Sequence, residues 1–238
     1  MEALILFLVI FFPGIYALPP LEFIAYGIAA GLDAPRVIPF SISRELGRLA
    51  TYTLPSLALV LYLIHKAAPR AAAPGLASLL KAAAPARRDM IPLAIGLPAL
   101  VIIGLFVPFL GSLFAPVFAP HFAAMPPPFR VEGPASLSGW LVVLAACLGT
   151  GYLEEIYFRY YLLTRLEKAA VSPAARVIFS AALFAAIHIH QGHWGMLNAA
   201  IAGVFLAALF LRYRSIHGIA LAHAGYNVFV YAMGTVGT

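Results

Sequence analysis

Apolar residues run along this chain in long blocks with no two-residue alternation. The blocks occupy about 3 to 31, 49 to 65, 90 to 119, 138 to 164, 174 to 190, 196 to 212 and 216 to 234, each set off by charge, Pro or Gly. About 20 consecutive apolar residues cross the hydrocarbon core of a bilayer as a helix. The pattern therefore predicts an all-α protein, a polytopic transmembrane helix bundle of about seven to eight spans. The eighth span arises if the first block divides at Pro19 and Pro20. The third block carries Pro92, Pro98, Pro108 and Pro116, which predicts a tilt, a kink or a re-entrant piece there. No repeat, low-complexity tract or linker interrupts the pattern, so residues 1–238 read as a single integral membrane domain.

Composition excludes most other classes. The chain is 63% hydrophobic and 10% charged, against about half and about a quarter in ordinary soluble domains. A disordered chain, a disulfide-rich secreted module and a nucleic-acid-binding domain are all ruled out on these grounds. The net charge of +6 comes from basic residues lying mostly between apolar blocks, which sets orientation rather than partner choice. The connections holding Arg165, Lys168 and Arg176, and then Arg212 and Arg214, are expected in the cytoplasm. Under a seven-span alternation a loop with Arg36, Arg44 and Arg48 falls on the opposite side, so an extra or re-entrant segment is expected near the front. Ala67 to Asp89 is expected to form a helix on the membrane surface. Cys147 reads as a small core residue, His190 and His193 with Trp194 as an interfacial anchor, and His65, His121 and His217 as span-end residues facing water.

Charged residues inside a span cost about 2.5–3.5 kcal/mol each on insertion scales and are functional candidates by default. The fourth block breaks its apolar run with Glu154, Glu155 and Arg159. Glu155 and Arg159 are four apart and share a helix face, while Glu154 is turned away from Glu155. One carboxylate can pair with the guanidinium and the other stays available for chemistry. The fifth block adds Phe184 and His188, and the seventh adds His223 and Asn227, again at four-residue spacing. Counting about 1.5 Å per helical residue, Glu154 lies about 16 Å in from Arg165, His188 about 21 Å in from Ala174, and His223 about 13 Å in from Arg214. Three helices thus bring polar residues to similar depth, which predicts one shared site.

Glu-Glu-x-x-x-Arg, Phe-x-x-x-His and His-x-x-x-Asn, in that order on successive late helices, resemble the type II CAAX prenyl-protease family, which includes CAAX proteases and bacteriocin-processing enzymes. The resemblance covers a motif-bearing core of about 138–234; Asn198, Gly203 and the run Ser215 to Gly218 also look like family features. Family members usually have Gly directly after the motif arginine, and here Tyr160 stands there. The resemblance implies an intramembrane endopeptidase that hydrolyses a peptide bond in or near the bilayer. It implies that Glu154 with His188 activates a water, that His223 and Asn227 stabilise the oxyanion, and that Glu155 and Arg159 hold the site in shape. The residue types suit this chemistry, which needs a base, a polarised water and donors at the developing charge.

No cofactor is expected. The alternative is Zn²⁺ held by Glu154, His188 and His223, with Glu155 nearby; against it stand the adjacent Arg159 and the absence of a His-Glu-x-x-His pattern. The expected partners are membrane lipid and a peptide or lipidated protein substrate, with no nucleic acid, and the expected location is the plasma membrane of a prokaryote. Two rival classes share the buried polar residues. A proton-coupled transporter also builds relays from Glu, His and Arg, but usually shows internal repeats; a non-catalytic immunity or binding protein would keep the fold and not the chemistry.

Overall fold

The structure, a computed structural model, describes residues 2–16, 36–67, 86–122 and 129–235. Nine α-helical segments occur among the described residues: α1 (Glu2–Tyr16), α2 (Ile42–Arg48), α3 (Leu54–Ala67), α4 (Met90–Phe122), α5 (Leu137–Glu155), α6 (Leu163–Lys168), α7 (Pro173–Ala186), α8 (Gly192–Tyr213) and α9 (Ile216–Thr235). A π-turn over Leu49–Thr53 joins α2 to α3, and a second over Ile156–Leu162 joins α5 to α6. Short 3₁₀ turns cover Arg87–Asp89 and Ile189–Gln191, and a parallel two-stranded pair, β1 (Arg36–Ile38) with β2 (Phe129–Val131), runs in the register Arg36 to Phe129.

Four helical stretches are long and apolar enough to cross a membrane: 42–66, 87–114, 137–168 and 194–213. Two shorter apolar helices cover Glu2–Phe11 and Pro173–Ala186. Large apolar side chains such as Ile102, Leu141 and Ile178 stand exposed on the outside, as a lipid-facing surface requires. The protein is thus a helical membrane protein, with four candidate spans among the described residues. Two helices that carry the site fall short of the length or apolar content of those four. Helix α7 is only 14 residues long, and α9 is diluted by His217, Gly218, His223, Gly225 and Asn227. The expected surface helix falls largely on residues 68–85, and the second half of the first block on 17–35, outside the described residues.

Met90–Phe122 is one continuous 33-residue helix that contains five prolines, and one further expectation changes. Arg44 and Arg48 lie not in a loop but in the opening turns of a spanning helix, where Ser41 caps α2 by accepting from the Arg44 N–H.

Helices α5 and α9 run antiparallel and form the centre of the molecule. Gly151 makes this possible, because a Cβ there would lie 2.9 Å from the Ala220 carbonyl oxygen and 3.2 Å from the Ala224 Cβ. On one side, Leu6, Phe7 and Phe11 of α1 and Val60 of α3 pack on Tyr157 and Phe158. On the other, Leu100, Leu206, Phe210 and Ile219 join α4, α8 and α9. Cys147 is buried with Val143 against Ala224, the small core residue expected. Helix α9 is anchored at its start. Ser215 donates to the buried Asp89 carboxylate and accepts from the Gly218 N–H at 3.0 Å, while Asp89 also accepts from the Ala86 N–H at 2.6 Å.

Candidate active site

At the end of α5 the helix widens into a π-turn, and that turn carries Arg159. π-turns inside α-helices recur at functional sites because the extra residue re-aims side chains. Here neighbouring helices hold the turn: Ser180 of α7 donates to the Phe158 carbonyl at 3.2 Å, and the Tyr157 hydroxyl donates to the Ala3 carbonyl at 2.7 Å. Tyr157, Phe158 and Tyr161 face inward, whereas Tyr160 is 44% exposed. The residue that departs from the family pattern therefore points out of the bundle and fills no space in the site.

Glu155 and Arg159 are both fully buried, with Arg159 Nε 3.1 Å from Glu155 Oε2. The other oxygen of Glu155 accepts a hydrogen bond from His223 Nδ1 at 2.8 Å. Glu155 is thereby shared between a guanidinium and an imidazole from two different helices. Glu154 lies on the far side of the same imidazole, its Oε2 3.7 Å from His223 Nε2. That oxygen has no hydrogen-bond partner among the described residues. Of the two adjacent carboxylates, Glu155 has a close partner on each oxygen, whereas Glu154 has only the longer approach to His223.

Phe184 organises the rest of the site. Its ring centroid lies 4.5 Å from Arg159 Cζ, 4.8 Å from the His188 ring and 5.9 Å from the His223 ring. A buried aromatic face beneath a guanidinium is a favourable contact in its own right, and it partly compensates Nη1 and Nη2, which make no hydrogen bond among the described residues. Phe184 is held from behind by Gly203 of α8, where a Cβ would lie 3.2 Å from Ala181 Cα and 3.3 Å from the Phe184 ring. The sequence marks Phe184 only by its four-residue spacing to His188; its role as the hub needs the tertiary structure.

His188 is not inside a helix as expected. Helix α7 ends at Ala186, and His188 sits in the turn beyond it, donating from Nδ1 to the Phe184 carbonyl at 2.8 Å. That bond satisfies one of the carbonyls that a helix end leaves open and turns Nε2 into the acceptor nitrogen. Asn227, one turn beyond His223 on α9, is half-buried and does not enter the hydrogen-bonded network among the described residues. His217 does not merely face water, since its Nδ1 lies 2.9 Å from the Tyr152 hydroxyl. His65 is exposed as expected, and the side chains of His121, His190 and His193 lie outside those described. Among the described residues no three His, Cys, Asp or Glu side chains converge at metal-ligand spacing.

Residues 136–229 match the family model of type II CAAX prenyl endopeptidases, Rce1-like. The match supports the CAAX protease resemblance over the segment that holds all three motifs. No curated protein and no solved structure matches the chain. Helices α1 to α4 lie outside the matched segment. They still shape its site, through the Tyr157 bond to α1 and the Asp89 anchor of α9.

Proposed function

We propose that this protein is an intramembrane endopeptidase, acting on a peptide or lipidated protein substrate in or near the bilayer of a prokaryotic plasma membrane. The observation that carries the reading is the asymmetry of the adjacent carboxylates. Glu155 is committed to Arg159 and His223, so Glu154, whose Oε2 makes only the 3.7 Å approach to His223 Nε2, is the carboxylate left to take a proton from water. His188 presents Nε2 as the acceptor nitrogen and would share that water. Attack on the scissile carbonyl builds an oxyanion, which His223 and Asn227 stabilise from α9. Glu155 orients the His223 ring and balances charge arriving on it, the part a buried carboxylate plays behind a catalytic imidazole. Arg159 pairs with Glu155 and is clamped in turn by Phe184.

The reaction needs no metal in this reading, because water activation is assigned to Glu154 and His188. The test uses purified protein in detergent with a cleaved peptide. Glu154→Gln and His188→Ala should each abolish turnover while the protein stays folded. Near wild-type turnover in either would reject the mechanism. Full activity after exhaustive chelation, with less than one zinc per chain, is the expected metal result, and recovery only on adding zinc would reassign Glu154, His188 and His223 as ligands.

A further inference from the structure

A separate ionic cluster stands at the end of the bundle where two candidate spans stop together. The stretches 137–168 and 194–213 end at Lys168 and Tyr213, and the chain around those ends gathers Glu167, Arg176 and Arg214 into one group. Glu167 Oε1 lies 3.0 Å from Arg176 Nη1, and Glu167 Oε2 lies 3.7 Å from Arg214 Nη1. One carboxylate faces a guanidinium on each oxygen, so a positive charge is left over. The two guanidiniums are not equivalent. The side chain of Arg176 is 8% exposed and holds the shorter contact, whereas that of Arg214 is 54% exposed and holds the longer one. Arg176 is therefore the counterion of Glu167, and Arg214 keeps its charge on offer.

The backbone and the neighbouring rings fix where that charge stands. Helix α8 ends at Tyr213, and Arg214 closes it in the left-handed conformation at φ 52°, donating its N–H to the Phe210 carbonyl at 2.7 Å. Its guanidinium is turned back along the helix, with Cζ 5.7 Å from the Phe210 ring centroid. Arg212 is exposed beside it, its Cζ 5.4 Å from the Tyr213 ring centroid. Lys168, also exposed, follows Glu167 at the end of the other span. Ser215 is the residue after Arg214, and its bond to Asp89 brings the exposed Arg87 and Arg88 to the same end. The acids here are spoken for: Asp89 is buried on Ser215 and the Ala86 N–H, and Glu2 takes Arg165 at 3.2 Å. Lys168, Arg212 and Arg214 therefore form a basic rim where two apolar spans meet water, at the depth of lipid headgroups.

We propose that this rim binds the phosphate of an anionic phospholipid, with Arg214 as the principal contact and Arg212 and Lys168 beside it. A guanidinium presents a fork of N–H donors that matches phosphate oxygens. The stem of Arg214 lies along Phe210 at the end of the span, the arrangement in which a long basic side chain keeps its charge at headgroup level. The sealed Arg176 cancels the repulsion that Glu167 would exert on a phosphate. A zwitterionic lipid carries its own cation and would set it against the exposed basic groups, so charge selects the anionic class. Glu167 lies on α6, Arg176 on α7 and Arg214 at the end of α8, so an occupied rim ties α8 to the helix that follows the π-turn and to the helix that carries Phe184.

The test titrates the full-length protein, in a neutral detergent, with dioctanoyl phosphatidylglycerol or dioctanoyl phosphatidylcholine and counts bound lipid by native mass spectrometry. The glycerol lipid should bind about tenfold tighter than the choline lipid, as basic contacts at headgroup level allow. Arg214→Gln should erase that preference, and Arg214→Lys should keep part of it. Lys66→Gln, at the exposed lysine near the end of α3, removes one positive charge from the other flank of the molecule and should leave the preference intact. If Arg214→Gln fails to fold, the Lys168→Gln, Arg212→Gln double variant takes its place, with a reduced preference expected. Equal binding of the two lipids, or a preference that survives these substitutions, overturns the proposal. An equal loss in Lys66→Gln would mean diffuse surface charge and overturns it too. Displacement of the glycerol lipid by inorganic phosphate at equal concentration would assign a soluble anion in place of a lipid, with the same consequence.

Discussion

The molecule contains two π-turns, each adjoining a Glu and Arg ion pair on a spanning helix, and the two pairs are built to opposite ends. At the turn over Ile156–Leu162, Glu155 just before it and Arg159 within it are both wholly buried. Before the turn over Leu49–Thr53, the carboxylate Glu45 is buried but Arg48 is 44% exposed. A pair sealed from solvent cannot offer its charges to anything else, and what it gives the protein is position: Glu155 delivers the His223 ring to Glu154. A pair with one member exposed keeps a charge to offer. The contrast teaches that charge inside a span is not by itself the mark of a reacting group, since a fully buried pair can serve only to position its neighbours.

The largest effect expected from this comparison falls on Glu154. Loss of a general base lowers turnover by about 10²–10⁴-fold, so Glu154→Gln should show that loss with an unchanged melting temperature. Glu155→Gln should lose turnover and melt earlier, because it removes a charge that Arg159 and His223 both use. Equal melting curves for the two variants would erase the distinction drawn between adjacent carboxylates.

Next comes the pair of arginines. Breaking a buried pair from one side leaves an uncompensated charge and costs about 3–5 kcal/mol, which is the expected penalty for Arg159→Ala. The exposed member of the other pair should cost about 0–1 kcal/mol in Arg48→Ala. Thermal unfolding in the same detergent reads both. Comparable losses in the two variants would mean that Arg48 is structural and has no charge to spare.

A smaller effect is expected where the two central helices touch. A methyl group at Gly151 meets the Ala220 carbonyl at 2.9 Å, and overpacking of this kind costs about 1–3 kcal/mol. Gly151→Ala should also widen the gap between Glu155 and His223, so turnover should fall by more than stability alone explains. Gly47, where an added Cβ meets nothing within 4 Å, is the control: Gly47→Ala on the N-terminal helix should leave turnover unchanged.

How much of this was legible in the sequence depends on whether the signal was local. Glu155 and Arg159, Phe184 and His188, and His223 and Asn227 are four-residue pairs, and helical periodicity alone put each pair together. Equal depth then brought Glu154 and His223 to one site, as the 3.7 Å approach shows. The π-turns carry no residue signature, so the outward turn of Tyr160 and the inward turn of Tyr157 and Phe158 were not readable. His188 was placed within a helix because Ile187 to His190 continue the apolar run, although the chain leaves the helix at Ala186. Among the described residues α7 is shorter, and α9 more diluted by polar residues, than the four candidate spans. Arg48 looked like a loop charge on the wrong side because the helix that carries it begins at Ile42, ahead of the apolar block that starts at 49.

The smallest effect is expected at Tyr160, and it tests whether the sealed pair is insulated from its own surface. Tyr160 occupies the position after the motif arginine, where the family usually has Gly, so sequence alone would make it a suspect for altered packing or access. Its side chain is 44% exposed and points away from Glu155, Phe184 and His223. Substitutions at exposed positions away from special features stay within about 0.5 kcal/mol, and Tyr160→Ala should obey that limit with turnover close to wild type. Tyr160→Gly should lose about 1 kcal/mol more, from helix propensity alone, again without a selective loss of turnover. If Tyr160→Ala instead changes turnover while the melting curve stays fixed, the outer face of the π-turn communicates with Arg159. The site would then extend to the lipid-facing surface of α5, where a substrate approaching through the bilayer would first meet the protein.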